Sequence, residues 1–278
     1  MKIKATILAN FLILFISSAI YSENITIFVH GKSGNNFCNP DDTKDAVLNS
    51  TTNYWGSMAN TVSGKKFFVG YDGTSDPRTY GECRAQTVLS KVLATRCKGT
   101  DICKIVCHSA GCYASEYWLS SLGSATASSL NYKISGVTAL AAASGGSELA
   151  SALNAITFGY GGNAMDEALR VTNARTSFNH NLTGGVTVSH VPGSKGLVGA
   201  SAILPGEDDF AVAYHSSCGI NEAAGFSKCQ SSITQYEGIW PFGGNKTYSQ
   251  FIGHTRAPSV PVEGLYKNHS ELCDDGWR

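Results

Sequence analysis

Residues 104–114, KIVCHSAGCYA, constrain the fold of this chain more than any other stretch. An apolar, β-branched run passes into His108-Ser109-Ala110-Gly111, and helix-forming residues follow at once. Turning from strand to helix in so few residues brings two backbones close together. The positions two before and two after Ser109 must therefore be small. Gly111 meets that demand, and Cys107, among the smaller side chains, meets it less fully than glycine does. A side chain at the tip of such a turn is exposed at the C-terminal edge of a sheet, near the positive end of the helix. Ser109 is thus a candidate nucleophile. The plainer alternative is a serine that only caps the helix.

The surrounding pattern indicates what sheet this turn belongs to. Runs over 24–30, 66–71, 104–107, 134–142 and 186–191 read as strands, the first ended by Gly31 and the second by Asp72-Gly73. Helical spacing covers 82–96 and 110–122, with shorter pieces near 148–155 and 164–172. Near-continuous apolar strands alternating with helices predict an α/β fold: a mostly parallel sheet with helices on both faces. No repeat or linker interrupts the series, so residues 23–278 read as a single domain. The tail predicts a hairpin, 234–240 with 246–252, and a last strand over 262–267.

Composition excludes some partners. With Lys+Arg 21 against Asp+Glu 21 the formal charge is zero, which removes the usual electrostatic case for binding nucleic acid, a role that needs a basic face. Lys2 and Lys4 precede an apolar run from Ala5 to Ile20, followed by small and polar residues, which reads as a secretory signal over residues 1–22. Its removal leaves 19 basic and 21 acidic side chains, a net charge of −2. The expected location is extracytoplasmic, either secreted or periplasmic.

Nine cysteines in an oxidising compartment favour disulfides, and the odd count leaves one thiol over. Cys97–Cys103 and Cys218–Cys229 each bracket a short polar loop and are the expected local pairs. Cys107 is the expected unpaired thiol, and both Cys107 and Cys112 read as buried structural thiols. No CxxC or HxxxH spacing occurs, so no metal site is predicted. Asp274-Asp275 reads as a solvated C-terminus before it reads as a calcium site.

A serine nucleophile needs a base, a carboxylate to orient the base, and donors aimed at the developing oxyanion. The backbone N–H of Ala110 is the first donor the turn supplies. The first strand ends in His30-Gly31-Lys32-Ser33-Gly34, where glycine lets backbone approach the reacting carbon, and the N–H of Lys32 is the second donor. A phosphate-binding loop over the same Gly-Lys-Ser fails, because it needs glycine five residues before Gly31 and Thr26 stands there.

FVHGKSG (28–34), VCHSAG (106–111) and VSHVPGSKG…LPGEDDFAV (188–212) together resemble the α/β-hydrolase family, and within it the secreted bacterial-type lipases and esterases. The resemblance covers roughly residues 24–218. It implies a compact version of that fold lacking the first two strands, and acyl-enzyme chemistry on carboxylic esters without a cofactor. It further implies a small-molecule or lipid ester as substrate, with room for transient contact with a lipid surface. Aligning Asp209-Phe210-Ala211-Val212 with the family's Asp-Gly-x-Val puts the acid at Asp209, with Asp208 as the neighbouring alternative. The family's order sets aside His180, His190 and His215. His269, after the expected last strand, is then the base, and His254 is the alternative, whichever is not the base being a surface histidine. Asp166 and Glu148 read as helix-surface carboxylates.

Asn53-Tyr54-Trp55 falls where such enzymes build acyl-pocket walls, though aromatics there also simply anchor a loop. Asn268-His269-Ser270 is one of several glycosylation sequons. A peptidase, thioesterase or acyltransferase on the same fold, or an inactive binding protein, are the alternative functions.

Overall fold

The computed structural model describes residues 23–38, 53–150, 162–197, 203–204, 207–218, 232–237, 244–249 and 251–275. The signal-like segment, Cys229 and most of the helical piece expected over 148–155 lie outside these residues. Eight strands are described: β1 (Asn24–Val29), β2 (Lys65–Val69), β3 (Ile102–His108), β4 (Ile134–Leu140), β5 (Val188–Val191), β6 (Ser232–Glu237), β7 (Gly244–Ser249) and β8 (His254–Arg256). The helices are α1 (Met58–Thr61), α2 (Ala85–Arg96), α3 (Ala110–Ser120), α4 (Ala164–Ala168), α5 (Val171–Thr176), α6 (Tyr214–Cys218) and α7 (His269–Asp275).

Six strands form one sheet in the order β2-β1-β3-β4-β5-β8, and every neighbouring pair is parallel. A parallel sheet needs cover on both faces, and alternation along β1 and β3 supplies it. Ile25, Ile27, Val29, Ile105 and Cys107 point into a core shared with Val88, Leu89, Val92 and Leu93 of α2 and with α3. Phe28 and Val106 point the other way, into a second core with Trp55, Met58, Phe68 and Leu272 of α7. Phe28 stacks on Phe68 at 5.0 Å and meets the edge of Trp55 at 5.1 Å. The fold is the α/β arrangement the periodicity predicts.

The tail differs from expectation. The hairpin forms, as antiparallel β6 and β7. Residues 262–267 do not become the last sheet strand; β8 takes that place beside β5. Pro258 and Pro261 cannot donate to a ladder, and Gly264 turns the chain at φ +80° with its N–H on the Pro261 carbonyl. All that remains of a strand there is a single bridge from Leu265 to Gly193.

Cysteine pairing follows expectation in one case and corrects it in another. Cys97 pairs with Cys103, across the turn between α2 and β3. Cys218 is disulfide-bonded, and its expected partner lies outside the described residues. Cys107 is not the spare thiol. It pairs with Cys112, so a disulfide joins β3 to α3 directly across Ser109. The same closeness of backbones that calls for small residues at this turn brings the two sulfurs together. Cys38 pairs with Cys83, and the free cysteine among the described residues is the buried Cys273.

Candidate active site

A cleft of about 740 Å³ opens where β1 and β3 end, lined by Lys32, Tyr54, His108, Ser109 and His269 together with the apolar side chains of Leu149, Leu169 and Val212. A volume of this size suits a small organic or acyl ligand. Ser109 lines the cleft with φ +53° and ψ −126°, a conformation non-glycine residues seldom adopt. Its N–H donates to the Leu140 carbonyl at 3.0 Å, and its carbonyl accepts from Cys112 at 3.0 Å and Ala143 at 3.2 Å. Three backbone bonds, to the end of β4, the loop after it and the first turn of α3, hold the unusual φ in place. The hydroxyl makes no capping bond to α3, so helix capping does not account for the serine.

Two glycines make the turn feasible. A Cβ on Gly111 would come within 2.2 Å of the His30 carbonyl oxygen and 2.3 Å of that of Val29, because α3 packs directly on the end of β1. A Cβ on Gly31 would lie 2.6 Å from that of Ser109 and 2.7 Å from the Tyr54 hydroxyl. The loop after β1 therefore passes against the serine with only backbone between them. The N–H of Lys32 belongs to this loop. That of Ala110 begins α3, where no intrahelical acceptor exists for it.

His269 Nδ1 lies 3.0 Å from Asp209 Oδ2, and the His269 backbone N–H donates to the Asp209 carbonyl at 3.0 Å. Asp209 is fully buried, and its Oδ1 accepts from the N–H groups of Ala211 at 3.0 Å and Val212 at 2.8 Å. An ionised carboxylate only accepts, so Nδ1 carries the proton and the lone pair is on Nε2. Asp208 instead accepts from the Phe210 N–H at 2.7 Å within its own turn. Phe210 stands where the resemblance expects glycine, and its φ of +71° shows why glycine suits that position.

A reciprocal cap fixes His269. Asn268 Oδ1 accepts from the Glu271 N–H at 2.9 Å, and Glu271 Oε2 accepts from the Asn268 N–H at 2.9 Å, so α7 begins at the histidine. The Asn268 side chain of the sequon is thus engaged in this cap.

The residue before the serine adds a relay. His108 Nε2 lies 3.0 Å from the His269 carbonyl, and its Nδ1 lies 2.6 Å from the Tyr54 hydroxyl. Burial first, and then His269, hold His108 well below the ordinary imidazole range, so it is neutral. A carbonyl can only accept, which places the proton on Nε2 and makes Nδ1 the acceptor of Tyr54 O–H. The hydroxyl in turn accepts from the Gly31 N–H at 2.8 Å. Tyr54→Phe leaves two buried polar groups unpaired, at about 1–3 kcal/mol of stability each, and the disturbed loop beside Ser109 is expected to lower turnover by roughly 5- to 100-fold. Steady-state kinetics on a soluble ester reads this as a loss in kcat with KM nearly unchanged.

His30 serves the loop, not the chemistry. It stacks on Tyr71 at 4.0 Å, its Nε2 accepts from the Tyr71 N–H at 3.2 Å, and its Nδ1 donates to the Gly31 carbonyl at 2.7 Å. Burial pushes it down to about 4 from its ordinary 6.5. In the native state it therefore binds fewer protons than in the unfolded chain between those values. Its contribution to stability is whole above pH 6.5 and is lost as pH falls towards 4, by about 3 kcal/mol at most. Denaturant melts of His30→Gln across that window should show a shallower fall than the parent; an identical slope would refute the assignment.

His254 does not face the cleft. It begins β8 and is buried, with Nδ1 2.8 Å from His190 Nε2 and Nε2 2.9 Å from the His180 carbonyl, so it is no surface histidine. Asp166 and Glu148 are likewise not on the surface. Asp166 is 6% exposed, caps α4 with Asn163, and forms an ion pair with Lys32 that ties α4 to the loop after β1. Glu148 is 8% exposed and accepts from His215 Nε2 at 2.8 Å. Among the described residues, no cluster able to share a metal ion includes Asp274 or Asp275. Tyr54 lines the cleft, while Trp55 is buried in the second core. The relay through His108 left no mark in sequence spacing, because its partners are 54 and 161 residues away.

No protein-family model matches the chain, and no curated protein is similar to it at significance. Among solved structures, it is similar to phospholipase PlaB from Legionella pneumophila, at 16% identity over 88% of this chain and 53% of that one, with a TM-score of 0.48. It is also similar to the metagenomic carboxyl esterase MGS0156, at 16% identity over 59% of this chain and 48% of that one, TM-score 0.41. The third is the lipase BlEst2 of Bacillus licheniformis in its propeptide form, at 18% identity over 70% of this chain and 43% of that one, TM-score 0.44. The chain spans about half the length of the structures it matches.

Proposed function

We propose that this chain is an exported serine hydrolase acting on carboxylic esters through an acyl-enzyme. The observation that carries the reading is one cleft holding Ser109, on a strained strand-to-helix turn, together with His269, whose other ring nitrogen is engaged by the buried Asp209. In this reading Nε2 of His269 takes the Ser109 proton as Oγ attacks the ester carbonyl. The tetrahedral oxyanion is held by the N–H groups of Lys32 and Ala110, each worth roughly 3 kcal/mol of barrier. Collapse expels the alcohol, which receives the proton from His269. Water, deprotonated by the same histidine, then attacks the acyl-serine and releases the carboxylic acid.

Asp209 keeps the proton on Nδ1 throughout and stabilises the imidazolium. The apolar flank of Leu149, Leu169 and Val212 receives the acyl or alcohol portion of a small or lipid ester. The three described disulfides favour export, with residues 1–22 as the signal and 23–278 as the catalytic domain. Among the described residues, no helix is long and apolar enough to cross a membrane.

A fluorophosphonate probe should label the folded protein at Ser109, as read by peptide mapping, and p-nitrophenyl esters should turn over. Folded protein that neither takes the label nor cleaves the esters would refute the reading.

A further inference from the structure

About 10 Å along α3 from the strand-to-helix elbow at Ser109, judged by seven residues of helical rise, lies a cluster the cleft does not use. Glu116 of α3, His190 of β5 and His254 of β8 are all buried, and His180 adjoins them. Each ring is held from behind by a backbone carbonyl. His190 Nδ1 lies 2.8 Å from the Ser217 oxygen, His254 Nε2 2.9 Å from that of His180, and His180 Nε2 2.8 Å from that of Ala174. Carbonyls only accept, so His190 Nδ1 and His254 Nε2 carry their rings' protons. His190 Nε2 and His254 Nδ1 then face one another at 2.8 Å with lone pairs alone. Two acceptors at that distance require a cation between or beside them.

The Glu116 carboxylate converges on the same point, and one ligand atom from each of Glu116, His190 and His254 lies within 4.8 Å of the others. The carboxylate is itself oriented by His180 Nδ1 at 2.9 Å and Ser144 Oγ at 2.5 Å. Rings backed by carbonyls and a carboxylate backed by hydrogen bonds are the outer support that metal ligands need.

We propose that Glu116, His190 and His254 bind one divalent transition-metal ion, zinc being the best match to two imidazoles and a carboxylate. A proton would join the two nitrogens alone and leave Glu116 with its His180 and Ser144 partners; a metal ion engages all three groups. Bonds of 2.0–2.1 Å to a tetrahedral ion set ligand atoms about 3.3 Å apart, so the two rings part by roughly half an ångström on loading. The site is structural. Its ligands come from three elements, and the ion ties β8, an edge strand with only three paired positions, to the sheet and to the helix that carries the elbow.

The test uses the full chain, stripped with a chelator and then titrated with zinc or cobalt. Wild type is expected to retain about one equivalent of zinc and to melt about 5–10 °C higher at a hundredfold excess over Kd. Cobalt should give the visible d–d bands of a low-coordinate nitrogen/oxygen site. The His190→Gln/His254→Gln double variant should lose that equivalent. Wild type that takes up neither metal and melts identically with and without zinc overturns the proposal, as does one equivalent that survives in the double variant. Should the double variant fail to fold, X-ray absorption at the zinc edge of wild type decides: a shell with two imidazoles supports the site, and a sulfur-containing or all-oxygen shell overturns it. None of these readouts involves ester cleavage, so the result stands apart from the proposed reaction.

Discussion

Ser109→Ala is expected to lower kcat on a p-nitrophenyl ester by about 10⁴- to 10⁶-fold and to abolish fluorophosphonate labelling. Alanine has no nucleophile to offer, and what survives is the rate supplied by the oxyanion donors acting on water. The fold should not suffer. Alanine experiences the same strain at φ +53° as serine, and the hydroxyl makes no capping bond that would be lost. Ser109→Gly should be equally inactive yet more stable by about 1 kcal/mol, because glycine enters this region without a Cβ penalty. Parallel denaturant melts and single-turnover assays separate the two effects. If Ser109→Ala keeps more than a tenth of the parent rate, the serine is not the nucleophile.

Asp209→Asn should cost about 10⁴-fold in kcat while leaving the backbone geometry intact. The amide nitrogen can present a donor to His269, favouring the tautomer with its proton on Nε2, where the lone pair is needed. Asp208→Asn is the internal control. Its carboxylate accepts from Phe210 N–H inside a turn, a bond that an amide oxygen preserves, so activity within severalfold of the parent is expected. The histidines divide in the same way. His269→Ala should lose activity to a comparable degree with little change in melting. His254→Asn should lose stability, because it strips a buried hydrogen-bonded cluster, while kcat at low temperature changes far less. Equal losses of kcat from both histidines, or a larger loss from Asp208→Asn than from Asp209→Asn, would overturn the assignment of roles.

The elements that could be read from sequence were those whose signal is local. β3, the turn at Ser109 and α3 are fixed by an apolar run, a small residue at Gly111 and an immediate return to helical spacing. Their structure follows because the conflict of backbones at that turn admits few alternatives. β1 to β5 of the parallel sheet were legible for a similar reason, being largely apolar runs buried on both faces; β8, His254-Thr255-Arg256, carries no such run and was not. Residues 262–267 carry the apolar pattern of a strand, but Pro258, Pro261 and Gly264 deny it a ladder. Cys107 departs from expectation in another way. Its position two before the serine imposes a size constraint, and that same closeness brings Cys112 within reach of a disulfide.

The sequence by itself determined the order of elements from β1 to β5, the strand-to-helix turn that presents Ser109, and the loop that must approach it, since each depends on residues adjacent along the chain. Tertiary structure decided which histidine shares the cleft with Ser109 and which buried carboxylate backs it. It also joined His108 to Tyr54 and His269, and brought Glu116, His190 and His254 together from a helix and two strands. Spacing rules detect ligands and partners carried on one element. Groups that meet because three elements pack against one another are separated by up to 161 residues, and their meeting is fixed by how the sheet is ordered.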